Sequence, residues 1–338
     1  MKWSFVNIPI SWLYTLGVGI RHLLYNEHLL PSHTVEVPTI CVGNLAVGGT
    51  GKTPMVEYIL RLLLANGYKP AMLSRGYKRK TRGFVMADGL STVETIGDEA
   101  MQMHLAFPDV PIAVCENRVK GIRQLQRQVE DLDVVVLDDA MQHRAIRCGF
   151  MVLLTAYDKL YIDDHMLPWG TLRDLTSRAL KADAVVVTKC PETMQPIDMR
   201  VVDNKLKLPT YQQLHFAGIE YAPLEKEGVP LILCGIAQPK YLLEHVQRAY
   251  PQAEMLAYPD HHPYSAKDIE AIVARAKLFD FVVTTEKDMQ RLQTTSLEAD
   301  LQAQGKQLVA LPIRTCFISP HETFDRQIIQ YVHENRRK

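Results

Sequence analysis

Short apolar runs alternate along the chain with stretches whose apolar residues recur every three or four positions. Pro38-Thr39-Ile40-Cys41-Val42 reads as a short buried strand. Met55, Val56, Ile59, Leu60, Leu63 and Leu64 then keep helical spacing, and Gly67 follows as a stop. Further strands are expected over 69–74, 110–114, 133–139, 151–155 and 184–188, with helices over 100–107 and 116–129. The run Val134-Val135-Val136-Leu137 is continuous rather than alternating, which fits a parallel strand covered on both faces. Strands and helices in alternation predict an α/β fold with a parallel sheet.

Beyond Lys189 the chain turns polar and proline-bearing, so the first unit is expected to span 1–209, with a linker over 210–228. A second, smaller α/β unit over 229–338 begins at Leu231-Ile232-Leu233-Cys234-Gly235. Its helix is expected over 239–250, Ser265 caps another toward Phe279, and 281–284 is a strand. Leu167-Pro168-Trp169-Gly170-Thr171-Leu172-Arg173-Asp174 reads as a loop entering a helix.

Near the N-terminus, residues 8–20 are apolar but broken by Pro, Ser, Thr and Gly, too short and interrupted for a membrane span. No basic start precedes a small-residue cleavage site, as a signal peptide would require. On a helical wheel Ser11, Thr15, Gly19, His22 and Asn26 share one face, while Ile10, Leu13, Leu16, Ile20, Leu23 and Leu24 cover much of the rest. The pattern fits a helix packed on the domain or one lying in a membrane interface.

Composition narrows the partners. Lysine plus arginine and aspartate plus glutamate each number 38 in 338 residues, so net charge gives no case for nucleic acid. The six cysteines stand singly, without a CxxC pair, as in a reduced cytosolic protein lacking a disulfide or zinc framework.

The strongest chemical signal is Val47-Gly48-Gly49-Thr50-Gly51-Lys52-Thr53-Pro54 between the first strand and its helix. A glycine-rich turn at a helix N-terminus aims backbone N–H groups and partial positive charge at one point, which suits a phosphate. Gly48, Gly49, Thr50 and Gly51 form the cradle, Lys52 reaches the β- and γ-phosphates, and the Thr53 hydroxyl takes Mg²⁺. Ala46 stands where the usual pattern has glycine. Asp138 and Asp139 close a strand at the sheet's ligand-binding end, where such an aspartate holds Mg²⁺ directly or through water. Asp98-Glu99 opens a helix, either as caps or as a base and a metal ligand. The basic loop from Arg75 to Gly83 is solvated surface or a site for a phosphate-bearing substrate. The adjacent His261 and His262 could be a metal pair, but neighbouring positions rarely converge on one ion without other ligands, and a loop histidine is more often structural than catalytic.

Together several stretches resemble one family: Gly43-Asn44 through Thr53-Pro54, Ser74-Arg75-Gly76-Tyr77, Gly97-Asp98-Glu99, Asp138-Asp139 through Gln142-His143, Leu167-Pro168 with Leu172-Arg173, Gly235-Ile236-Ala237, Asp260-His261 and Thr285-Glu286-Lys287-Asp288. The chain is similar, over nearly its whole length, to the tetraacyldisaccharide 4′-kinases. Ala140-Met141 replaces the family's usual Gly-Phe, and Trp169 and Gln238 are unusual in their motifs. The resemblance implies a P-loop NTPase-type parallel-sheet domain with a smaller α/β domain. It also implies ATP and Mg²⁺, and an acylated glucosamine disaccharide 1-phosphate as the lipid acceptor. It places the chain peripherally at the cytoplasmic face of the inner membrane and favours the interfacial reading of the N-terminal helix. Carried over by motif, Asp98 is the base, His261 hydrogen-bonds to it, and Lys52 completes the catalytic set. Thr53, Glu99, Asp138 and Asp139 are the metal candidates, and Arg75, Tyr77, Asn117, Arg118 and His143 the substrate contacts. A nucleotide switch or metallochaperone is the competing reading. Against it stand the unclustered Cys and His ligands, and Thr188-Lys189-Cys190-Pro191 without a guanine-reading aspartate.

Overall fold

The computed structural model describes residues 7–318 and 321–336, so the outermost residues of both expected units lie outside the described residues. In chain order the first elements are α1 (Asn7–Asn26), β1 (Thr39–Asn44), α2 (Lys52–Ala65), β2 (Pro70–Ser74), β3 (Val85–Met86), α3 (Val93–Ile96) and α4 (Asp98–Ala106). They are followed by β4 (Ile112–Val114), α5 (Arg118–Gln128), β5 (Val134–Asp138), β6 (Phe150–Ala156), β7 (Ala184–Thr188), α6 (Pro196–Leu206) and β8 (Gln213–Tyr221). The smaller unit contributes β9 (Pro230–Cys234), α7 (Lys240–Ala249), β10 (Glu254–Ala257), α8 (Ala266–Ala276), β11 (Phe281–Thr285), α9 (Glu286–Leu292), α10 (Leu297–Gln302) and β12 (Leu308–Leu311). Finally β13 (Ile313–Phe317) and α11 (His321–Asn335) close the described chain.

A nine-stranded sheet runs β13-β8-β7-β6-β1-β5-β2-β4-β3. Its interior strands pair in parallel, while β13 and β3 are antiparallel to their neighbours at the two edges. Apolar clusters cover both faces, which explains the unbroken Val134–Asp138 run. One cluster takes in α2, α4 and α11 through Ile59, Met103 and Phe324; the other takes in α5 and α6 through Ile122 and Val202. After β1 the chain skips a strand position to β2, and β5 later fills it before β6 joins on the other side of β1. The order therefore reverses beside β1, where ligands enter such sheets.

The small unit is a four-stranded parallel sheet, β10-β9-β11-β12, with apolar clusters of its own. Two expectations need correction. Residues 213–221, expected within a linker, are β8, bonded to β7 and β13 in the large sheet. The chain from 313 onward returns to that sheet instead of finishing the small unit. Its β13 pairs with β8, and Phe324, Ile328 and Val332, spaced one helical turn apart on α11, are fully buried in the large unit's core. The loop containing Leu167-Pro168 does lead into a helix, a short one of the 3₁₀ type, Thr176–Lys181.

Candidate active site

The glycine-rich loop turns at Gly48 and Gly51, both at positive φ, so that α2 starts on Lys52. Pro54 falls in the first turn, whose N–H groups have no helical partner. The loop is fastened at Thr50: its hydroxyl accepts from Asn44 at 2.8 Å, and its carbonyl accepts from the Thr188 hydroxyl at 2.9 Å. The Lys52 ammonium reaches across to Asp139, 3.9 Å away. Arg173 grips Asp139 with both terminal nitrogens and donates to Asn44 Oδ1 at 2.6 Å. Burial alone would raise Asp139, but Lys52 and Arg173 hold its carboxyl below the usual carboxylate range.

Asp138 differs from its neighbour. It is buried, its Oδ1 has no hydrogen-bond partner, and burial with nearby Glu99 and Asp139 pushes it up to about 7. A buried carboxylate oxygen without a donor, on a residue that shares the cavity wall with Glu99 and Thr53, is a fit for a hard cation. Among the described residues, no three His, Cys, Asp or Glu side chains close on one point. Mg²⁺ itself takes only one or two carboxylates and fills its shell with phosphate oxygens and water.

Across the cleft, the small unit presents His261, Lys287 and Arg291 to the first turn of α4. His261 Nδ1 lies 3.0 Å from Asp98 Oδ2, and its Nε2 lies 3.3 Å from the Lys287 ammonium. An ammonium only donates, so Nε2 accepts and Nδ1 carries the proton given to Asp98. Arg291 adds a contact to the same Oδ2 at 3.4 Å. Burial favours a raised Asp98, yet the His261 hydrogen bond and the charges of Arg291 and Lys287 outweigh it and hold the carboxyl low. Gly97, at positive φ, lets α4 begin hard against the Tyr77 carbonyl and so fixes where Asp98 stands.

These groups surround a cavity of about 810 Å³ between the two sheets. Gly48, Gly49, Thr50, Gly51, Lys52, Thr53, Arg75, Tyr77, Glu99, Arg118, Asp138, Asp139, His143 and His261 all line it. Asp98 is held by His261 but does not itself line the wall, though its side chain keeps 14 % exposure. Asn117, expected against substrate, instead caps α5 by accepting from the Lys120 N–H at 3.0 Å, outside the cavity lining. Arg118 is buried and spends its guanidinium on the carbonyls of Cys115 and Asp138, at 2.8 and 3.2 Å. It positions the Asp138 backbone. His143 is pushed down to about 4 by burial and by Arg118, Arg21 and Arg75 nearby. That wall therefore combines three arginines with a neutral imidazole whose Nε2 has no partner, which suits an anionic group.

A family profile described as Tetraacyldisaccharide-1-P 4'-kinase matches residues 3–333. The chain belongs to that family. Its relatives include a tetraacyldisaccharide 4'-kinase of Flavobacterium johnsoniae, 44% identical, the match covering 98% of this chain and 97% of that one. Another, from Bacteroides thetaiotaomicron, is 41% identical, with 99% and 94% covered. The crystal structure of LpxK from Aquifex aeolicus in complex with ATP shares the fold, with a TM-score of 0.73 at 24% identity over 96% of this chain and 98% of that one.

Four residues of this family member escaped the sequence reading of the site. Arg173 and Lys287 sat in quoted motifs, but nothing local showed that each would meet a carboxylate from another element. Arg291 lies one helical turn beyond Asp288, which is the signal that could have found it. Lys189 lines the cavity beside Gly49, where burial pushes it down to about 8 and it meets Gln238 and the Tyr241 ring.

Proposed function

We propose that this protein transfers the γ-phosphoryl group of ATP to the 4′-hydroxyl of an acylated glucosamine disaccharide 1-phosphate, as a step of lipid A biosynthesis. One observation carries the reading: the phosphate loop of the large unit and His261 of the small unit, which is hydrogen-bonded to Asp98, line a single cavity. The Gly48–Gly51 turn and Lys52 cradle the phosphates. Thr53, Asp138 and Glu99 are the groups that would hold Mg²⁺, with Asp139 spent on Lys52 and Arg173. When bound, the ion supplies charge neutralisation on the phosphates.

A sugar hydroxyl is a poor nucleophile at neutral pH, so a placed acceptor for its proton matters. Both contacts described for Asp98 fall on Oδ2, leaving Oδ1 for the hydroxyl. Its low pKa keeps it ionised and ready to accept. Tyr77, Arg75, Arg21 and His143 flank the site for the sugar and its anionic group.

The lipid explains α1. Ser11 and His22 are buried against the protein, whereas Trp12 and Leu13 are 70% exposed and Leu16 61%. A helix with its polar face inward and its apolar face outward suits the bilayer interface where the acceptor resides. Among the described residues no helix is long and apolar enough to cross a membrane. The chain would thus work peripherally, at the cytoplasmic face of the inner membrane.

Transfer of label from ATP to purified acylated disaccharide 1-phosphate in detergent micelles tests the reading. Wild type should label the lipid, and Asp98→Ala should lower the rate roughly 10²–10⁴-fold. ATP hydrolysis without lipid labelling would replace the kinase with a nucleotide switch.

A further inference from the structure

Two cations on α9 face the α4 carboxylates, and they are held very differently. Arg291 is 7 % exposed and fully committed: to Asp288 at 3.2 Å, to the Gly235 carbonyl at 3.3 Å and to Asp98. Asp288 in turn accepts from Gly235 N–H, Tyr264 and Thr285 at 2.7–3.0 Å, so the start of α9 is pinned. Lys287, one residue before Asp288, rides on this pinned turn. Its side chain is 21 % exposed, and its ammonium stands 3.8 Å from Glu99 and 3.3 Å from His261 Nε2, both too long for a tight charge-assisted hydrogen bond.

Lys287 is also the lysine or arginine that the small unit supplies among the described residues lining the cavity. Of the other cations there, Arg21, Arg75 and Lys189 also belong to the large unit, and three more are tied to particular partners. Arg173 is locked to Asp139 and Asn44, Arg118 to two carbonyls, and Lys52 belongs to the phosphate loop. Glu99, which Lys287 faces, lies close enough to Asp138 to raise it. The lysine therefore points at the rim of the anionic floor where the phosphates would sit.

We propose that Lys287 is a catalytic cation, delivered by the small unit to the phosphoryl group in transfer, and that its contact with Glu99 is a resting position. This rests on the kinase reading above. In the step, the bond from the γ-phosphorus to the oxygen bridging it to the β-phosphate breaks, and its electron pair stays on ADP. The bond from that phosphorus to the sugar oxygen forms, and the hydroxyl proton passes to Asp98 Oδ1. Negative charge shifts to the equatorial and leaving oxygens, and a flexible ammonium on a fixed turn follows it. Glu99 is one of the residues that would hold Mg²⁺, so in the loaded site its carboxylate would be shared and the Lys287 ammonium would be free to turn to the phosphoryl oxygens. The cation comes from the opposite unit, so the transition state gains it only when the cleft is closed around both substrates.

The test compares binding of Mg²⁺–ADP with and without aluminium fluoride, a mimic of the phosphoryl group in flight, in micelles containing the lipid acceptor. Wild type, Lys287→Ala, Lys287→Met (which keeps the stem) and Lys287→Arg are measured. Wild type should bind ADP far more tightly with fluoride complex present. Lys287→Ala and Lys287→Met should keep ADP affinity within about twofold, lose most of that tightening and drop kcat roughly 10³-fold. Lys287→Arg should recover part of both. Full tightening in Lys287→Met, or an equal loss of plain ADP affinity in both neutral variants, would make Lys287 a structural partner of Glu99 and His261 and overturn the proposal. A wild type that binds ADP yet shows neither tightening nor turnover would instead overturn the kinase reading itself.

Discussion

At the scale of single residues, the site runs on unequal environments given to similar groups. Asp138 and Asp139 are adjacent, yet Asp139 is covered by Lys52 and Arg173 while Asp138 keeps an oxygen without a donor. Asp98 is held low by partners from the other unit against the burial that would raise it. The sign of a pH effect follows. A depressed carboxyl stays ionised down to a pH below its ordinary range, so activity on the acid side should fail only there. His261→Ala removes the hydrogen bond that contributes most to lowering it, leaving burial opposed only by the charges of Arg291 and Lys287. The acid limb of kcat should therefore move to higher pH in that variant, on top of any fall in rate. A pH–rate profile of both proteins checks this; an unmoved limb would mean that Asp98 is not the titrating group.

At the scale of elements, position depends on turns more than on helices. Gly97 begins α4 at φ 87°, and a Cβ there would come within 2.9 Å of the Tyr77 carbonyl oxygen. Gly97→Ala should cost about 1–3 kcal/mol and displace Asp98. Gly89→Ala, with nothing within 4 Å, serves as the control that should unfold like wild type in a thermal melt. Elements of this kind also separate what was legible in the sequence from what was not. The strand–glycine loop–helix of 39–65 and the strand ending at Asp138 are local signals, written in consecutive residues. By contrast, β8 and β13 are partly exposed strands whose identity comes from pairing with each other across the whole small unit. Arg291 became visible only because α9 packs on α4, a contact between distant stretches. Asn117 was misread for the opposite reason: a local cap had the same residue type as a ligand contact.

At the scale of the whole molecule, α1 ties a surface to the site. Its polar residues bind the segments that build the cavity: Ser11 donates to the Met166 carbonyl at 2.8 Å, Tyr14 to that of Arg173 at 3.2 Å, and Arg21 to that of Gln142 at 2.8 Å. His22 lies 2.5 Å from buried Asp174, and Arg144 donates to the His22 carbonyl at 2.9 Å. Deleting the helix would therefore damage the site as well as the surface, since Arg21 itself lines the cavity. A cleaner change touches only the outward face. Leu13→Asp with Leu16→Asp alters two side chains that are already exposed, so thermal stability should stay close to wild type. Each leucine buried in an interface contributes on the order of 1.5–3 kcal/mol, so the pair should weaken sedimentation with phospholipid vesicles by at least about tenfold. Transfer to lipid presented in vesicles should fall with it, whereas transfer to lipid in detergent micelles should hold. Equal activity on both presentations, with vesicle binding intact, would mean that the outward leucines cover something other than a bilayer.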